Sequence, residues 1–152
     1  MLFRSEGGVG NAERFLAMAA HLIGRGEAPL PAEPLPRTGI YRAAGGGRPV
    51  AALVFYRALL QSGTLAPVDA LIEALERVGL STQAIFAASL KDGEAKALIA
   101  AAKPDIVLNA TAFTAGTIDG TDCPVLQVVF SGSTHETWAA DARGLRSADL
   151  AM

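Results

Sequence analysis

From Pro49 onward, apolar positions follow first a strand pattern and then a helix pattern. Val50 to Tyr56 is an unbroken apolar run, as expected of a strand covered on both faces. Val68, Leu71, Ile72, Leu75 and Val78 then recur at helical spacing, which predicts a helix over 67–78 with that stripe buried and Glu73 and Arg77 paired outside. Pro67 suits its first turn, Asp69 its positive end and Gly79 its stop. A second strand is predicted over 83–87. A helix capped by Ser89 or Asp92 follows, with Ala95, Leu98, Ile99 and Ala102 inward, and closes at Lys103-Pro104. A third strand over 105–109, a loop through Gly116 and Gly120, and a fourth strand over 124–130 complete the alternation. Ser133 and Glu136 have capping-box spacing and predict another helix, carrying Trp138 inward. Ser147 reads as one further cap just before Met152. Its element would have nothing to bury it, so the domain is expected to be truncated there.

The first 36 residues read differently. Asn11 is placed to cap a helix running to about Ile23, with Phe15, Leu16, Ala19, Leu22 and Ile23 on one face and Gly24 as its stop. Four prolines in residues 27–36 forbid helix and favour an extended connector. Gly39-Ile40-Tyr41 has the look of a short strand before the loop at Gly45-Gly46-Gly47. Residues 1–36 are thus read as a helical arm and Pro-rich linker from a preceding region, and 37–152 as an α/β domain. Strand–helix alternation with short connections implies right-handed βαβ units. The expected fold is an open parallel sheet of about four strands with helices on both faces, Rossmann-like or flavodoxin-like.

Composition narrows the function. Apolar residues make up 51% and charged residues 18% of the 152, a core-rich globular balance. A formal net charge of −2 gives no reason to expect nucleic acid or an anionic membrane as partner. The N-terminus lacks a signal-peptide layout and no apolar run reaches spanning length, which points to a cytoplasmic protein. There the sequon Asn109-Ala110-Thr111 has no meaning. Cys123, the single cysteine, precludes an internal disulfide and is read as a small buried hydrophobe.

In an open parallel sheet, ligands bind beyond the carboxyl ends of the strands. The polar residues predicted there include Arg57, Ser62 and Thr64, then Ser89, then Asn109, Thr111 and Thr114, then Ser131, Ser133 and His135. Arg57, Ser62, Asn109, Thr111 and Ser131 are the ligand-binding candidates. The Arg57 fork could hold an acidic or amide side chain of a ligand, or equally an inter-domain or helix-end contact. His135 beside Glu136 is the one candidate metal ligand, against the plain alternative of a solvated histidine in a first turn. Tyr56 and Phe113 could flank a flat ring, or be core. No P-loop pattern occurs. Gly8-Val9-Gly10 lacks both a preceding strand and a final glycine, which discards it as a dinucleotide site.

Arg-Pro-Val-Ala-Ala-Leu-Val-Phe-Tyr-Arg-Ala-Leu-Leu-Gln-Ser-Gly at 48–63, Ala-Pro-Val-Asp-Ala-Leu-Ile-Glu-Ala-Leu-Glu at 66–76 and Ser-Leu-Lys-Asp at 89–92 closely resemble the large subunit of ATP-dependent cobaltochelatases, a family related to the magnesium chelatase H subunit. The stretches 104–113, 124–133 and 144–152 resemble it too, while 1–5 do not. The magnesium branch tends to carry a histidine soon after the arginine that ends the first strand. Leu59 and Leu60 stand there instead, which favours the cobalt branch. The resemblance implies a fragment of a longer tetrapyrrole- and metal-binding subunit. Its reaction would be insertion of Co2+, as substrate metal, into hydrogenobyrinic acid a,c-diamide in aerobic cobalamin biosynthesis. ATP would be hydrolysed by AAA+ motor and integrin-like partner subunits and not bound here. A magnesium chelatase H-type subunit acting on protoporphyrin IX, or a non-catalytic docking domain, are the alternatives.

Overall fold

The apolar run at 50–56 becomes the middle of a sheet, where each of its side chains finds cover. A computed structural model describes residues 6–111, 118, 121–131 and 133–140, with His135 described by its backbone alone. In chain order these form α1 (Val9–Leu22), β1 (Thr38–Arg42), β2 (Val50–Tyr56), α2 (Arg57–Ser62), α3 (Ala66–Arg77), β3 (Ser81–Ala87), α4 (Gly93–Ala101), β4 (Ile106–Ala110), β5 (Val125–Gln127) and α5 (His135–Ala140). The strands lie in the order β1-β3-β2-β4-β5. β2 runs parallel to β3 and β4, and β4 parallel to β5. The strands between 50 and 130 are therefore parallel, as expected. β1 adds a fifth, antiparallel strand on the β3 edge, with a register break between Ile40 and Arg42.

Alternation along β2 sends its side chains into two cores, one on each face. Ala51, Leu53 and Phe55 join Leu59, Val68 and Ile72 beneath α2 and α3. Ala52 and Val54 join Ile85, Ile99, Val107 and Ile118 on the α4 side. All of residues 51–55 are fully buried, so each pairs an apolar side chain with cover on its own face. Helices thus cover both faces. The crossover from β2 leads to β3 on one flank, and the next leads to β4 on the other. The chain reverses direction across the sheet at β2, which makes the β2–β4 gap the topological switch point.

Several local expectations are corrected. The α1 helix begins two residues before Asn11, with Gly8 at its cap and no side-chain cap bond. Its apolar face is not buried: Leu16 is 67% and Leu22 71% exposed. Residues 57–62, expected as loop, form α2, closed by Gly63 in the left-handed conformation. Val78 is 75% exposed, because it follows the last turn of α3 instead of lying on its stripe. Glu76 pairs with Arg42 at 3.7 Å. The fourth predicted strand shortens to Val125–Gln127. The α5 helix is capped one residue later than expected, by the Thr134 hydroxyl accepting from Thr137 N–H at 3.2 Å, and Trp138 faces outward. Asp92 caps α4, its carboxylate accepting from Glu94 N–H at 3.2 Å. Cys123 is half-buried against the α4-side core. Thr114, Phe113 and Ser147 lie outside the described residues.

The arm packs onto the sheet domain through α2. Gly8 N–H donates to Gln61 O at 2.7 Å, and Gln61 Nε2 to Glu6 O at 3.3 Å. Asn11, almost fully buried, donates to Gly7 O at 2.9 Å and Glu33 O at 2.8 Å and accepts from Glu33 N–H at 2.9 Å. Its side chain replaces backbone pairing between helix and Pro-rich connector, where prolines leave few donors.

Candidate functional site at the carboxyl edge of the sheet

Parallel pairing puts the ends of β2, β3, β4 and β5 on one edge. Register aligns Tyr56 with Ala87, Phe55 with Ala110 and Asn109 with Gln127. Arg57, Asn109, Thr111 and Ser131 all follow or close strands of this edge. Ser62 lies further off, at the far end of α2, where its hydroxyl donates to Leu59 O and contacts the Thr64 hydroxyl.

Asn109 and Thr111 form the most deeply buried polar pair among the described residues of this edge. Both are 1% exposed. The Asn109 carboxamide oxygen accepts from Thr111 N–H at 3.0 Å and from the Thr111 hydroxyl at 2.6 Å. Such a bond to the amide two residues on is an Asx turn, which ends β4 sharply. The Asn109 carbonyl also accepts from Val128 N–H at 2.8 Å and so carries the pairing past β5. Strand alternation puts Asn109 on the Val107 side of the sheet, the α4 face.

Arg57 opens α2 with its guanidinium turned to the connector. Nε donates to Pro36 O at 2.7 Å and one terminal nitrogen to Leu35 O at 2.8 Å. The contact role weighed for this residue is thus the one the geometry displays. The Ala88 N–H, at the end of β3, donates to Arg37 O at 2.8 Å, so the connector is stitched to two strand ends. Ser131 accepts from Ser133 N–H at 3.1 Å within the loop before α5. Glu136 in the first turn is held below the usual carboxylate range by a backbone N–H bond first and the Thr134 hydroxyl second. The side chain of His135, the metal candidate, lies outside the described residues. Among the described residues no group of three His, Cys, Asp or Glu could hold a metal ion. No described helix is long and apolar enough to cross a membrane.

The switch point itself is a narrow apolar notch of about 30 Å³, lined by Tyr56, Leu59, Ala110, Val128, Val129 and Phe130. That is one water's share of volume, so the notch can receive the edge of a flat apolar group and cannot enclose one. A larger hollow of about 330 Å³ lies between the arm and α2, walled by Gly7, Asn11, Pro34, Leu35, Leu60 and Leu65. It is built by the arm and not by the strand ends. The topology leaves a crevice at the switch point; its notch opens on the α2 and α3 side of the sheet, while the buried Asn109–Thr111 pair closes β4 on the α4 side. The roles of Asn11 and Gln61 in docking the arm were missed by sequence reasoning. Asn11 borders the apolar stripe of its helix, one turn before Phe15, so its position gave no separate signal.

Three comparisons bear on this arrangement. The model of the CobN/Magnesium Chelatase family matches residues 2–152. The aerobic cobaltochelatase subunit CobN of a Sinorhizobium species is 39% identical over 182 aligned positions, and that of Pseudomonas aeruginosa 29% over 172. Each alignment covers 97% of this chain and 14% of the relative, so the chain spans about one-seventh of their length. The solved catalytic subunit of cobaltochelatase from Mycobacterium tuberculosis superposes on 97% of the chain, and on 14% of its own, with a TM-score of 0.80. At 22% identity that likeness shows a shared fold.

Proposed function

The chain belongs to the CobN/magnesium chelatase family, and from that premise we propose that it works as one segment of a cobaltochelatase large subunit, beside the tetrapyrrole. The observation that carries this reading is the alignment of nearly the whole chain with a subunit named for aerobic cobalt insertion. The proposed reaction is ATP-dependent insertion of Co2+ into hydrogenobyrinic acid a,c-diamide in the cytoplasm, within aerobic cobalamin biosynthesis. ATP hydrolysis belongs to AAA+ and integrin-like partner subunits.

In this reading the apolar notch between Tyr56 and Phe130 meets a ring edge, while Ser131, and from the α4 side of the same strand ends Asn109 and Thr111, supply neutral polar groups for amide and acetate substituents that reach over the rim. His135 is the proposed metal-guiding group. Arg57 acts indirectly, by fixing the connector that borders the same edge. That engagement favours a second reading, in which this segment braces the large subunit without touching the ring. Leu59 and Leu60 following Arg57 support cobalt over magnesium.

The test splices this chain into the Sinorhizobium subunit in place of its matched segment. The product is assayed with its partner subunits, ATP, Co2+ and the diamide. Cobalt insertion is expected. Asn109→Ala and Ser131→Ala are each expected to weaken tetrapyrrole binding roughly fivefold, the effect of one lost hydrogen bond of about 1 kcal/mol. A folded subunit that inserts no cobalt refutes the function. Insertion of Mg2+ into protoporphyrin IX alone moves the chain to the magnesium branch. Unaltered affinity in both variants leaves the bracing reading.

A further inference from the structure

The first helix meets the body along the side of Asn11, Arg14 and the half-buried Met18, which borders its apolar stripe instead of coinciding with it. Asn11, 5% exposed, and Arg14 point into the molecule, where Arg14 donates to Pro31 O and pairs with Glu33 at 3.0 Å. The apolar stripe of Ala12, Phe15, Leu16, Ala19, Leu22 and Ile23 points out. Leu16 is 67% and both Leu22 and Ile23 are 71% exposed. At roughly 100° per residue, Glu13, Arg14 and His21 all fall outside this arc, so no charge interrupts it. The exposure is a fixed feature: the three Asn11 bonds, the Gly8–Gln61 bond and the Arg57 fork determine which side of the helix faces the body.

We infer that this stripe is an interface for the remaining body of a CobN-type large subunit. A continuous exposed apolar stripe marks a contact surface. The chain corresponds to only 14% of the length of its curated relatives, so in them far more chain surrounds this unit than composes it. An uncharged stripe fits a permanent apolar neighbour within one subunit better than a motor subunit that must dock and leave, since obligate interfaces are the more hydrophobic ones. The inference rests on family membership and not on the chemistry proposed for the rim.

Thiol labelling tests it. Leu16→Cys, Leu22→Cys and, as control, Glu13→Cys are made in a Cys123→Ser background. Each is treated with a maleimide in this chain alone and after splicing into the Sinorhizobium subunit. All three are expected to react fast in the isolated chain. In the spliced subunit the two stripe positions are expected to react at least about tenfold slower, since a buried thiol reacts only through local opening, while Glu13→Cys stays fast. Equal labelling of stripe and control in the spliced subunit overturns the inference. So does a concentration-dependent dimer of the isolated chain that protects Leu16→Cys, because a second copy then covers the stripe. The readout is independent of catalysis: protection without cobalt insertion supports the interface and sinks the function.

Discussion

Gly39 carries a requirement that its neighbours do not. It sits opposite Phe86 across the antiparallel pair, and a Cβ there would stand 2.7 Å from the ring's Cζ. Phe86 is buried in the α3-side core and has little room to move. Gly39→Ala is therefore expected to destabilise the chain by about 1–3 kcal/mol through overpacking, read by urea denaturation; an unchanged midpoint would show that the ring yields. Two residues on, Tyr41 lays its ring edge-on against Phe55 at 5.7 Å and 87°, and its hydroxyl donates to Asp69 Oδ1 at 2.9 Å. Burial first, and the Asp69 bond second, raise the Tyr41 pKa above the ordinary 10.0. A raised value means the unfolded chain releases that proton sooner. The bond's contribution is thus whole below pH 10.0 and is lost as pH climbs through the folded value. Tyr41→Phe is expected to cost about 0.5–1.5 kcal/mol at neutral pH and to flatten the alkaline fall in stability. An alkaline limb as steep as in the parent chain would assign it to other groups. The residue scale is also where sequence reading stops early. It marked Arg57, Asn109 and Thr111 as polar ends of strands. It had no means to pair Arg57 with two carbonyls more than twenty residues upstream, because a carbonyl has no side-chain signature.

Elements were legible to the extent that periodicity decides them. The unbroken run of β2 was placed to the residue, and α3 and α4 within one or two residues, since cap, stripe and stop agreed at each. The α2 helix escaped because six residues make too short a window for helical period to show. For α1, period grouped the apolar residues correctly but could not say which side meets the body; Asn11 and its hydrogen bonds decide that. The arm it belongs to hangs on close backbone contact at Gly7, where φ is +70° and a Cβ would lie 2.9 Å from both the Cβ and the carbonyl oxygen of Gln61. Gly7→Ala is expected to detach the arm. Protease cleavage within the Pro-rich connector should then accelerate by roughly an order of magnitude, as local opening becomes easier. The melting of the sheet should stay within a few degrees of the parent, because its two cores draw no residue from the arm. Loss of the whole cooperative transition would instead make arm and sheet one folding unit.

At the scale of the molecule, the order β1-β3-β2-β4-β5 sets a gradient of stability. β2 is hydrogen-bonded on both sides over nearly its full length, and its residues 51–55 are wholly buried. Among the described residues β5 pairs at three positions, with β4, and Leu126 is half exposed. α1 buries a single residue. Strand order was beyond the sequence, because crossover handedness fixes the face a helix covers but not whether the next strand goes left or right. Yet that order decides where the crevice opens, since β2 alone has its successors on opposite flanks. Native-state hydrogen exchange should report the gradient directly. Amides of β2 and the facing positions of β3 and β4 are expected to exchange slowest, through global unfolding only, at a cost of about 5–15 kcal/mol for a domain of this size. Those of β5 and α1 should exchange first, through local opening of edges with little buried apolar area. Comparable protection of α1 and β2 would mean that the arm is part of the cooperative core, and β2 amides exchanging early would remove the parallel sheet as the frame that holds Asn109 and Thr111 at its rim.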